Sequence, residues 1–130
     1  MAGPDKAPRA PRRLAERRGR RAETLAAWFL RAKGYRVLAR RTRTPVGEID
    51  LIARRGRLIA FVEVKQRPSL AEGVEAVTPA GRRRIVRAAS FWLAAHPAAA
   101  GLDLRFDVVI CMPGRLPRHI PHAFDADGVA

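Results

Sequence analysis

Residues 47–67, GEIDLIARRGRLIAFVEVKQR, restrict the fold more than any other stretch of this chain. Two greasy runs, around Ile49, Leu51 and Ile52 and around Phe61, Val62 and Val64, need a sheet that is buried on at least one face. A short polar connector with one glycine, RRGR, suits a hairpin between them. Yet Glu48, Asp50, Glu63 and Lys65 lie inside the same runs. Side chains alternate across a strand, so Asp50 shares a face with Glu48, and Glu63 shares one with Phe61 and Lys65. If RRGR forms the whole loop, Ala53 faces Leu58, and Asp50 falls near Phe61, one diagonal step from Glu63. Asp50, Glu63 and Lys65 then converge. A slip of one residue would send them to opposite sides.

Two carboxylates side by side on a half-buried strand are costly unless a cation, a ligand or each other compensates them. A hard divalent metal is the natural compensator, because Mg²⁺ is held by one or two carboxylates together with substrate phosphate oxygens and water. Asp50 and Glu63 are therefore candidate ligands for Mg²⁺ or Mn²⁺. Lys65 is the candidate for orienting a water or stabilising charge on phosphorus. The plain alternative is a solvated, salt-bridged E-x-K face. Lysine usage weighs against it: only Lys6, Lys33 and Lys65 interrupt a basic inventory of 26 residues otherwise written as arginine. Lysine is a compact, tunable point charge where arginine is a fixed fork. Glu48 is expected to point to solvent or to support the site. Glu23 is the fourth candidate, a helix carboxylate beside an apolar stripe.

The charge balance names a class of partner. With 26 basic against 12 acidic residues, the formal net charge is +14, beyond what solubility requires, and the partner is a polyanion. Nucleic acid, DNA foremost, fits better than a membrane. No apolar run approaches the ~20 residues of a spanning helix, and the first twenty residues lack a signal-peptide core. The expectation is a soluble, cytoplasmic protein. Aromatic content of 6% argues against a base-stacking reader of single strands. The single Cys111 excludes an internal disulfide and reads as a buried thiol. His96, His119 and His122 read as packing or solvated groups, since HIPH offers a weak metal pair beside a proline.

Along the chain, residues 1–13 combine Pro, Ala and basic residues and are expected to be a disordered basic arm. Residues 14–125 form the domain and 126–130 a tail. Leu25, Trp28, Phe29 and Ala32 recur at helical spacing, predicting a first helix over 14–33 with these as its apolar face. YRVLAR reads as a strand and RTRTPVG as a loop. RPSLAEGVEAV shows no period and reads as loop. Thr78 and Pro79 open a second helix whose first turns carry Arg82, Arg83, Arg84 and Arg87. LDLRFDVVICM reads as a central strand, and the proline-rich end leaves room for one short edge strand. Helix, three strands, helix and strand give an α/β fold with a mixed central sheet flanked by helices.

GEIDLIA and FVEVKQR, preceded by RRAETLAAWFLRAKGY and followed by VTPAGRRRIVRAASFWL and RFDVVI, resemble the bacterial YraN family, also labelled UPF0102. The resemblance spans roughly residues 16–124. That family is similar to archaeal Holliday junction resolvases, which implies a restriction endonuclease-like core of the PD-(D/E)xK superfamily. The resemblance implies a metal-binding aspartate at Asp50, the E-x-K pair at Glu63 and Lys65, and a helix glutamate at Glu23. Glu48 and Arg67 lie within the family strings without an assigned step. Ile49 replaces the proline of the superfamily name, and Arg82 stands where lysine is frequent.

The leading functional reading is thus a metal-dependent DNA endonuclease, selective for branched or damaged structure. Arg41, Arg43, Arg67, Arg82, Arg83, Arg84 and Arg87 would track phosphates, which positions a substrate without reading sequence. The alternatives are a non-catalytic nucleic-acid-binding module on the same fold and a partner-docking protein in DNA repair or uptake. A homodimer is expected by analogy alone, since two strands need two sites.

Overall fold

The computed structural model describes residues 9–127, with only the backbone course given for residues 9–18. Helix α1 (Arg9–Ala32) leads into strands β1 (Arg36–Thr44), β2 (Gly47–Arg55) and β3 (Leu58–Gln66). Helices α2 (Leu70–Ala76) and α3 (Pro79–Ala95) and a short 3₁₀ turn follow, then β4 (Asp103–Cys111) and β5 (Arg118–Phe124). The five strands lie in sequence order. Only β3 and β4 run parallel, and the other neighbours are antiparallel. The parallel pair needs a crossover, and α2 and α3 supply it. This is the expected α/β class: a mixed sheet with helices on both faces.

Alternation sorts the strand residues into two cores. Leu51, Ala53, Ala60, Val62, Val109 and Cys111 face α1, while Ile52, Ile59, Phe61, Phe106, Val108 and Ile110 face the α3 side. Phe61 carries the second layer, edge-on to Trp92 of α3 and stacked on Phe106. The α1 face is tighter because the helix meets it with small residues, Ala22, Ala26 and Ala27, plus Leu30.

Five local expectations change. The α1 helix begins at Arg9, so Arg9–Arg13 belong to it; residues 1–8 of the expected arm and 128–130 of the tail lie outside the described residues. Its buried face is alanine-rich, and Leu25 and Trp28, expected in the core, stand 45% and 64% exposed. Beta-strand β1 takes in most of the expected RTRTPVG loop, leaving Pro45 and Val46 as the turn. The RRGR loop shrinks to Gly56 and Arg57, pairing Arg55 with Leu58. Gly56 sits at φ 61°, as a first central position of a two-residue hairpin turn requires.

The fifth change is α2, inside the segment without a period. Ser69 caps it, its hydroxyl accepting the Glu72 N–H and donating to the Glu72 carboxylate. That is the S-x-x-E capping signal, present in the sequence as SLAE. Gly73 lets α2 seat on β4: a Cβ there would lie 2.4 Å from Ile110 Cγ2.

Candidate active site

The site forms where β2 and β3 part. Their pairing runs from Arg55–Leu58 to Leu51–Val62 and stops there, while β3 stays paired with β4 as far as Gln66. One step beyond the last pair, Asp50 and Glu63 face each other. Instead of a backbone carbonyl of β2, the Asp50 carboxylate accepts the Val64 N–H, at 2.8 Å. A side chain thus replaces a ladder bond and holds the strands apart at a wedge. The neighbouring backbone is bent to match: Arg41, between the β1–β2 pairs Arg40–Leu51 and Thr42–Ile49, has φ 52°. Alternation breaks at the same level, since Ile49 packs on the α3 side although Leu51 faces α1. A positive φ costs a residue with a Cβ about 1 kcal/mol, so the surroundings must hold it.

Glu23 does part of that holding. Buried on α1, it accepts a 2.7 Å hydrogen bond from Arg41 Nε. Burial pushes its carboxyl up, the bond to Arg41 pulls it down, and the Asp50 charge raises it again. Glu23 does not line the cavity beside Asp50; it reaches the site through Arg41.

Lys65 completes the constellation, its Nζ 3.9 Å from Glu63 Oε1, with both side chains mostly covered. The Glu63 carboxyl is pushed up to about 9, first by burial, then by a hydrogen bond with Asp50 and by the Asp50 charge, against the pull of Lys65 and Arg84. Burial and a second carboxyl in contact both disfavour the ionised form of Glu63. The two carboxyls open into a cavity of about 480 Å³. Its floor is Asp50, Glu63 and Lys65, and its walls include Glu48, Thr78 and Arg84. The register predicted from the loop was two residues off, and an even shift conserves the faces, so the three groups still converge.

The walls show what sequence reasoning underweighted. Glu48 lines the cavity, its side chain 43% exposed and 3.2 Å from Arg43 Nε, rather than simply facing solvent. Gly47 lets the β1–β2 turn abut α3, because a Cβ there would sit 3.2 Å from the Arg84 carbonyl oxygen. Thr78 caps α3 by accepting the Gly81 N–H. That cap, legible as TPAG, fixes where Arg84 enters the cavity. Of the other expected phosphate contacts, Arg43, Arg67, Arg83 and Arg87 are exposed. Arg67 donates to the Gln66 carbonyl. Arg82 turns toward the Phe124 ring, its Nε buried without a hydrogen-bond partner.

Could a divalent ion fit? Among the described residues no three His, Cys, Asp or Glu side chains gather as a ready-made cage. The donor set is one of two carboxylates, which suits Mg²⁺ or Mn²⁺ completed by water and phosphate oxygens and suits zinc poorly. A buried Glu63 carboxyl set against the Asp50 carboxyl is an environment that favours added positive charge.

A second buried carboxylate was not read from the sequence. Asp107, fully buried on β4, accepts from Arg105 at 2.6 and 2.7 Å, from His119 Nε2 at 2.8 Å and from the His122 N–H at 3.0 Å. Arg105 also donates to the Tyr35 hydroxyl, and Lys33 Nζ lies 2.6 Å from His119 Nδ1. RFD was legible as an alternating Arg-x-Asp pair on one strand face, but its partners are distant in sequence. Cys111 is buried as expected, its thiol pushed up to about 11 by burial.

A mixed sheet covered on both faces, with an acid pair and a lysine where two strands part, defines an α/β protein with one polar cavity built into its central hairpin. The chain belongs to the family described as "Uncharacterised protein family UPF0102", which matches residues 22–111. It is 58% identical over 118 residues to a UPF0102 protein of Rhodopseudomonas palustris (strain BisB18), covering 90% of this chain and 87% of the relative. A UPF0102 protein of Bradyrhizobium diazoefficiens is 57% identical (89% and 88% covered), and one of Chelativorans sp. is 53% identical (91% and 95%). The matched span holds Asp50, Glu63, Lys65 and Glu23.

Proposed function

We propose that this protein is a metal-dependent DNA endonuclease that hydrolyses phosphodiester bonds, with a preference for branched or damaged structure. The observation that carries the reading is the facing of Asp50 and Glu63 across the wedge, with Lys65 on the same wall. Asp50 and Glu63 would hold Mg²⁺ or Mn²⁺, which would supply Lewis-acid polarisation of the phosphate and a more acidic water. Asp50 is oriented by the Val64 amide, and Glu63 would be favoured as a carboxylate by the cation it helps to hold. Lys65 orients the attacking water and balances charge on phosphorus in the transition state. Arg84, across the cavity, neutralises a phosphate oxygen. Arg43, Arg83 and Arg87 grip the flanking backbone, and the net charge of +14 supports such a grip.

Cleavage of a junction, flap, gapped and continuous duplex panel, with Mg²⁺ and Mn²⁺ titrated, tests the proposal. Asp50→Ala and Lys65→Ala should each lower cleavage by roughly 100-fold or more, with salt-sensitive binding retained. Binding without metal-dependent cleavage on every substrate would leave a non-catalytic nucleic-acid module.

Among the described residues, no helix is long and apolar enough to cross a membrane.

A further inference from the structure

The exposure of Leu25 and Trp28 leaves α1 with an apolar stripe that nothing among the described residues covers. Leu25 is one helical turn from Trp28, so the two sit on one face, and Arg21 continues that face a turn earlier. Arg21, Ala22 and Leu25 line one side of a cleft of about 490 Å³ whose other side is the β4–β5 turn, including Met112, Arg115 and Leu116, and Trp28 lies one turn of α1 further along. Leu116 is 79% exposed. Large apolar groups clustered in the open mark a contact surface. The rim is positive: Arg21 and Arg115 line it, and the Arg31 guanidinium stands 5.4 Å from the centre of the Trp28 ring. A second copy would bring the same cations against these, on a chain already at +14. An anionic partner with flat apolar faces meets both demands.

The cleft also touches the proposed site. Gln66 lines it, and the residue before, Lys65, lines the acidic cavity. Successive strand residues point to opposite faces, so the end of β3 offers an ammonium on one side and an amide on the other. Duplex DNA is stiff, with a persistence length of about 50 nm, so a backbone held at Lys65 would round this end more readily as unpaired nucleotides.

We infer that the cleft between α1 and the β4–β5 turn, together with the exposed Trp28 ring beside it, binds unpaired nucleotides next to the backbone held in the acidic cavity, a base stacking on Trp28 and phosphates meeting Arg21 and Arg115. One exposed indole suffices for one base, so the low aromatic content is no obstacle. This rests on the nucleic-acid reading above but not on turnover.

The test is binding of the full chain, in EDTA so that cleavage plays no part, to a labelled continuous duplex and to the same duplex with a short central gap. Wild type should prefer the gapped DNA. Trp28→Ala should lose roughly 10-fold on the gapped DNA and less than about 2-fold on the continuous one. Leu116→Ser, across the cleft, should lower the same preference should Trp28→Ala prove poorly folded. Stacking on Trp28 also predicts quenching of its fluorescence by the gapped DNA beyond that by the duplex, read against Trp28→Phe. Equal affinity for both DNAs, or an equal loss on both, overturns the cleft inference and spares the reading beneath it. No salt-sensitive binding to either overturns both. Wild-type dimers that Trp28→Ala makes monomeric would assign the cleft to a second copy and end the proposal.

Discussion

Two buried carboxylate clusters share this sheet, and they are opposites. Asp107 on β4 is met on every side, by Arg105 twice, by His119 and by a backbone amide. Burial alone would raise its carboxyl, yet those donors together pull it below the ordinary value. Glu63 on β3 is pushed up to about 9, first by burial and then by the Asp50 carboxyl beside it, and its lysine, 3.9 Å away, offsets only part of that. Burial is common to both. Compensation separates them: a satisfied cluster is architecture, and an unsatisfied one beside a cavity is the candidate functional site.

The sharpest way to break this contrast is to remove Asp107. Asp107→Ala strands the Arg105 charge and should cost about 3–5 kcal/mol in a urea melt, with metal affinity little changed. A cost under about 1 kcal/mol would show the cluster to be as dispensable as a surface ion pair.

Adding a methyl group comes next. Gly73→Ala drives a Cβ into Ile110 and should destabilise by about 1–3 kcal/mol. It should also weaken the proposed metal-dependent cleavage, because Ala76 and Val77 of the same segment wall the cavity.

Acid and base then pull the two clusters in opposite directions. Asp107 has a lowered folded value, so its stabilising contribution is present above the unfolded carboxyl value near pH 4 and is lost as pH falls through the folded one. Glu63 has a raised folded value, so between about 4.5 and about 9 the folded protein holds a proton that the unfolded chain has released. Stability of the metal-free protein should therefore decline as pH rises through that window. Glu63→Gln should flatten the decline, and on the proposed metal-dependent function it should also abolish cleavage while Mg²⁺ offsets the decline in wild type. A pH-stability profile identical in wild type and Glu63→Gln would remove the distinction between the clusters.

The smallest effect lies at the α2 cap. Ser69→Ala should cost about 1 kcal/mol, read as a shift of the urea midpoint, with no change at Asp107.

What could be read in advance follows from periodicity. Strand alternation fixes which side a residue faces, and that was enough to bring Asp50, Glu63 and Lys65 together; the order of helices and strands predicted the mixed sheet, and its apolar run placed Cys111 inside. The same alternation is blind to shifts of two, so the loop of the hairpin was read two residues too long. Helical spacing likewise lists two candidate faces on α1, one of Leu25 and Trp28, the other of Ala22, Ala26 and Leu30. Only close approach to a sheet already carrying Leu51 and Val62 selects the small one.

By itself, then, the sequence determined the apolar runs, their parity and the acids set into them, because these are properties of neighbours along a chain. The tertiary structure decided which helix face is buried, where β2 leaves β3, and that Asp107 meets Arg105, His119 and the His122 amide while Asp50 meets Glu63. Those depend on volumes and donors contributed by segments distant in sequence, and such a sum exists only once the segments are packed.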